Sequence, residues 1–160
     1  MADFNIGNAV KLWFFVIALS FFVIIGSVAV HEIGHGLVGA AFGCEVESVV
    51  LYSPGESPGA NIRCDDDFSH IFVALAGISF NILFGILFLF SETPLMNKVA
   101  YMFFGFGLYS AKMDLQSVGF PVLIGSLVSL VGVFLIMYAI YLLCEFNVSK
   151  LFETKQGVPS

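Results

Sequence analysis

The stretch VAVHEIGHGLVGAAFG, Val28–Gly43, holds two of the chain's three histidines, His31 and His35, with Glu32 beside the first. It overlaps the end of Leu12–Val30, nineteen residues without a charge. A run of about twenty apolar residues crosses a bilayer core as a helix. One helix is therefore expected to carry both lipid-facing residues and three ionisable ones. A charge near mid-bilayer costs at least about 2.5–3.5 kcal/mol, and ionisable groups in a span are functional by default. Three of them within five positions mark a site.

Residues i and i+4 lie above one another on a helix face. His31 and His35 can thus offer two imidazole nitrogens to one metal ion without distorting the backbone. Glu32 lies one residue round the helix, too far to complete the ligand set but close enough to hold a water at the metal. This is the mechanical content of H-E-x-x-H: two zinc ligands and a general base. Gly34, Gly36 and Gly39 follow on the same helix, where small residues let neighbouring backbones approach.

The rest of the composition agrees with a membrane setting. Of 160 residues 59% are hydrophobic and only 11% are charged, against about 25% charged in ordinary soluble domains. Mean hydropathy is +0.98, and phenylalanine alone supplies 19 residues. The net charge of −6 is concentrated, because six of the twelve acids fall between Glu45 and Asp67. No basic run suggests nucleic acid, and no glycine-rich loop suggests a nucleotide. MADFNIGNAVK lacks a positively charged leader, and the apolar run that follows exceeds the roughly 7–15 residues of a signal-peptide core, so a cleaved leader is not expected.

The expected fold is an all-α polytopic membrane protein, a single domain over 1–160, with about four transmembrane helices and a small β-hairpin after the first. The spans fall at about 12–41, 70–90, 99–111 and 118–146, the third being short. The hairpin loop occupies 44–66, with VESVVLY and ANIRC as strands and SPGESPG as the turn. The segments SETPLMNK and KMDLQS are read as brief loops, and the polar tail after Phe146 as a frayed end. Lys11, Lys98, Lys150 and Lys155 lie on the side of the termini and Arg63 and Lys112 on the other, so the positive-inside rule places the termini in the cytoplasm. Cys144 reads as a small buried hydrophobe. Cys44 and Cys64 bracket the acidic loop, as a disulfide in an oxidising compartment or as thiols elsewhere.

A catalytic zinc takes three protein ligands and keeps a fourth place for water. Tracing the spans puts Asp114, His70 and Asp65–Asp67 on the membrane side where the first span ends, and excludes Glu92 and Glu145. Asp114 is favoured as the third ligand, with His70 the alternative. Asp65–Asp67 read as solvated charge ahead of a helix start. Asn81, among apolar residues in AGISFNILFG, is either an interhelical hydrogen-bonding residue or a donor to an oxyanion.

Together VHEIGHGLVGAAFGCEVESVVLY and ALAGISFN resemble the site-2 protease family of intramembrane zinc metalloproteases over roughly Ala29–Asn81. The family's second motif commonly has proline after its glycine, where this chain has Ile78. Its third commonly has Asn-Pro ahead of the aspartate and glycine after it, where Asp114 is followed by Leu115. The resemblance implies one catalytic Zn²⁺ held by His31, His35 and Asp114, with Glu32 and Asn81 as catalytic residues. It also implies transmembrane protein substrates cleaved within the lipid bilayer; the strand-like VESVVLY is itself expected to hold the unwound segment by strand addition. It places the metal near the cytosolic face, with Cys44 and Cys64 reduced. This disagrees with the lysine count, and as two lysines are a small margin the resemblance is given slightly more weight. The alternatives are a non-proteolytic metal-binding or scaffold protein of the same fold, and a transporter with histidines lining a metal path.

Overall fold

The computed structural model describes residues 6–51 and 58–153. In chain order they form α1 (Ile6–Ala41), β1 (Glu45–Val50), β2 (Gly59–Arg63), α2 (Asp67–Leu89), α3 (Pro94–Ser117) and α4 (Val122–Glu153). The expected all-α architecture with a small hairpin after the first helix is present. Most of the SPGESPG turn, and the tail beyond Glu153, lie outside the described residues.

α1 is 36 residues long, about 54 Å at 1.5 Å per residue, and it carries the apolar run straight into the histidines. It stops where Gly43 adopts φ 76°. The Gly43 N–H donates to Ala40 O and the Cys44 N–H to Gly39 O, the paired bonds of a Schellman cap, which needs a left-handed residue. α3 ends the same way, at Gly119 with φ 89°, through bonds from Gly119 to Gln116 O and from Phe120 to Leu115 O. α2 starts at Asp66, whose carboxylate accepts from Ser69 N and Ser69 Oγ, both at 2.7 Å. The Ser69 N–H holds this exposed carboxyl below its ordinary pKa, as expected of an anion at a helix N-terminus.

Each helix runs antiparallel to the one before it. Phe42 stacks on Phe72 near one end of the α1–α2 pair, whereas Ser27 meets Asn81 towards the other. α3 is longer than the apolar segment 99–111, at 24 residues. Pro94 stands at its first turn, where a missing N–H is harmless. Leu, Met, Lys and Gln continue it at both ends because they are good helix formers. The segments expected as loops, PLMNK and KMDLQS, are its two ends. α4 likewise runs on past Phe146 to Glu153.

Three helical stretches, Ala9–Ala41, Asp67–Leu89 and Val122–Glu145, are long and apolar enough to cross a membrane. α3 is the more polar helix and packs between α2 and α4, where Gly105 and Gly132 let backbones touch: a Cβ on Gly132 would lie 2.5 Å from Gly105 O and from Tyr109 N. A buried cluster of Val16, Val23, Val99, Met102, Phe103, Ala139 and Leu143 ties α1, α3 and α4 together. The outer faces are apolar as well, with Trp13, Phe14, Phe22, Phe134 and Met137 each more than half exposed.

β1 and β2 pair antiparallel from Glu45↔Arg63 to Val50↔Gly59, with an irregularity between Val46 and Ser48. Glu47, the extra residue there, bonds both Asn61 Nδ2 and Arg63. The hairpin lies on α1 over Gly36 and Gly39, which Val49 and Ile62 approach so closely that a Cβ would sit 2.9–3.0 Å from their methyl groups. Packing is thus the role of these glycines. Cys44 and Cys64 form a disulfide, a correction to the free thiols that the resemblance implied.

Gly132→Ala tests the α3–α4 crossing. Alanine improves helix propensity by about 1 kcal/mol, yet backbone atoms stand where its Cβ must go. A net loss of about 1–3 kcal/mol is expected from overpacking, read as a lowered midpoint of unfolding in detergent.

Candidate metal centre

Three helical stripes converge in one half of the bundle. On α1, Ser27, His31 and His35 repeat every four residues. On α2, Val73, Gly77 and Asn81 do the same. On α3, Gly107, Ser110 and Asp114 complete the third wall.

The Nε2 atoms of His31 and His35 lie 3.1 Å apart. Asp114 Oδ2 is 3.2 Å from His31 Nε2, and Asp114 Oδ1 is 3.6 Å from His35 Nε2. The protonation of the rings follows from their other nitrogens. Val73 O, 2.6 Å from His35 Nδ1, can only accept, so His35 Nδ1 carries the hydrogen. Ser110 Oγ donates to Gly107 O at 3.1 Å, so at 3.2 Å it accepts from His31 Nδ1–H. With the hydrogen on Nδ1, each ring in its neutral form turns an Nε2 lone pair toward the other ring and toward a carboxylate. Asp114 Oδ2 is buried and has no hydrogen-bond partner. One added proton satisfies one pair of these atoms and leaves the third orphaned, whereas a cation between them satisfies all three.

Among the described residues, His31, His35 and Asp114 form the group able to hold a metal ion. Ligand bonds of about 2.0–2.1 Å in tetrahedral geometry place donor atoms about 3.3–3.4 Å apart, close to the distances here. The backbone carbonyl and the hydroxyl that orient the imidazoles are the outer partners that metal-binding histidines require. Asp114 is reached as favoured, but from the last turns of α3 rather than from a loop. His70 is exposed at the cavity's rim and lies outside the group, and Asp65–Asp67 are exposed ahead of α2.

Glu32 is buried beside the group and lines a cavity of about 730 Å³ with Ser27, His31, Asn81, Tyr109 and Asp114. Pro58–Ala60 and Ile62 form one wall of this cavity. The strand that borders the site is therefore β2, not the VESVVLY strand β1. Asn81, 1% exposed, accepts from Ser27 Oγ at 3.0 Å through Oδ1, so the donors on Nδ2 are not spent on that contact. Gly77 faces the His31 ring, and a Cβ there would fall 2.5–2.6 Å from its atoms.

Ser27, Val73 and Ser110 stand outside the motifs read in the sequence, and Gly77 figures there only as the glycine before Ile78. Helical spacing was the available signal for three of them: Ser27 precedes His31 by one i,i+4 step, and Val73 and Gly77 precede Asn81 by two and by one. Comparison with protein-family models, with curated proteins and with solved structures finds no match to this chain.

Ser110→Ala leaves His31 Nδ1–H without its acceptor. Loss of such an outer partner typically weakens metal binding about 10–100-fold, and a competition titration with a chromophoric chelator should read a drop of that size. Gly77→Ala is expected to displace the His31 ring and reduce bound metal below one per chain, measured by elemental analysis.

Proposed function

We propose that this chain is a multi-pass integral membrane protein and a zinc metalloprotease of the site-2 type, which hydrolyses peptide bonds in or near transmembrane segments of other membrane proteins. The observation that carries this reading is the convergence of two imidazole lone pairs and a carboxylate, with Glu32 beside them, inside a bundle with an apolar exterior. Two nitrogens and an oxygen suit Zn²⁺, and three protein ligands leave the open position that distinguishes a catalytic site from a structural one. The apolar outer faces of α1, α2 and α4 support residence in lipid, because water would not tolerate so much exposed Phe, Ile and Leu.

When bound, zinc supplies Lewis acidity that lowers the pKa of water toward about 7. His31 and His35, with Nδ1–H fixed by Ser110 and Val73, and the Asp114 side chain would hold the ion. Glu32 takes the proton from the attacking water as its oxygen bonds to the scissile carbonyl carbon. It then returns that proton to the amine nitrogen as the C–N bond breaks. Asn81, steadied by Ser27, donates to the carbonyl oxygen as negative charge develops there. The β2 edge beside Glu32 offers backbone groups to a locally unwound substrate.

Glu32→Gln separates this reading from a metal-binding scaffold or a transporter. The variant should keep one zinc per chain yet cleave a single-span reporter about 10²–10⁴-fold more slowly. Unimpaired turnover in the variant, or wild type that holds zinc and cuts no reporter, would remove the protease reading. Asn81→Ala should lower kcat about 10²–10³-fold with little change in KM, and Ser27→Ala should lower kcat less.

A further inference from the structure

We infer that the hairpin and the mouth of the metal centre face the oxidising, extracytoplasmic side of the membrane, and that peptide bonds in the outer half of a substrate's span are the ones within reach. The second clause rests on the protease reading; the first does not.

The hairpin register carries the argument. Glu45 pairs with Arg63, so Cys44 and Cys64 are the next rung of the same ladder. Their Cα atoms lie 4.5 Å apart, the spacing of a non-hydrogen-bonded antiparallel pair and within the reach of a disulfide. The bridge ties the residue just past α1 to the residue just before the α2 cap. Such bonds form and persist in oxidising compartments, and cytosolic thiol systems keep equivalent cysteines reduced.

Two further observations agree. Phe42, Phe68 and Phe72 cluster where α1 ends and α2 begins, with centroids 5.3 Å apart for Phe42–Phe72 and 4.7 Å for Phe68–Phe72. Exposed acids, Asp65–Asp67, fill the chain between Cys64 and Phe68. That step from aromatic to acidic marks a lipid–water boundary. At the opposite end of the bundle stand Lys11, Lys98 and Lys150, against Arg63 and Lys112 at the site end. This is the asymmetry of a chain whose lysine-rich end is cytoplasmic.

His35 lies seven and His31 eleven residues before Phe42 along α1, which puts them about 10–17 Å below that boundary. In a core of about 30 Å this places His35 in the outer half and His31 close to the midplane. Water reaches the site from the acidic face, and a substrate helix would be opened near its extracytoplasmic end.

The test uses the full chain in a bacterium that exports disulfide-bonded proteins. Cells are acid-quenched and thiols are trapped with PEG-maleimide. One addition, at Cys144, is expected without reductant and three after reduction; three without reductant overturns the orientation. Independently, green fluorescent protein fused after Ser160 should fluoresce and alkaline phosphatase fused there should be inactive, and an active phosphatase overturns it too. For the substrate, two single-span reporters carry a Gly-Asn break in the outer or the inner half of the helix. The outer-half reporter should be cut at least tenfold faster, and equal or reversed rates sink the substrate clause. If neither is cut, the protease reading fails while the thiol and fusion measurements still decide the orientation.

Discussion

Everything near the centre of this molecule depends on three electron-pair donors held in mutual contact. Two imidazole Nε2 atoms 3.1 Å apart, with a carboxylate oxygen 3.2 Å from one of them, repel unless something positive lies between them. The fold supplies the restraint. Val73 O and Ser110 Oγ hold the far side of each ring, and Gly77 removes the one side chain that would push His31 away. The glycine contact between α3 and α4 seats the helix that delivers Asp114. Among the described residues α4 contributes none to the cavity wall, yet it braces α3, the helix with the most polar sequence.

This arrangement explains how much of the site could be read in advance. His31, Glu32 and His35 were legible because helical spacing alone puts two imidazoles on one face, and their apolar surroundings make them costly as accidents. Asp114 was legible by counting membrane crossings, since its partners must share a side. Its place on a helix was not, because the polar residues of KMDLQS look like a loop unless the good helix formers among them are weighed. The hairpin was visible as strand propensity. Which strand borders the site was not, since that depends on how the sheet packs over Gly36 and Gly39, a contact between elements with no local pattern.

The partners of the motif were the hardest to see. Ser27 and Gly77 are ordinary residues in apolar helices, and small residues there usually serve packing. Their meaning emerges only when two stripes, 27–31–35 and 73–77–81, are laid against each other in antiparallel register. Ser27 then falls on Asn81 and His31 on Gly77. A glycine four residues before an asparagine becomes intelligible: one makes room for a ring, and the other presents its amide one turn deeper.

The cysteines show the same dependence on register, with a consequence for the whole molecule. Taken alone, Cys44 and Cys64 are twenty residues apart and allow either redox state. Once Glu45 is paired with Arg63, their separation is set by the ladder. Chemistry then ties that separation to a compartment, and the compartment to a direction across the membrane. The resemblance over Ala29–Asn81 argues the other direction, but a metal-binding surface works equally well from either side. The bridge and the lysines depend on what lies outside the bilayer, so on orientation they carry more weight than the motif does.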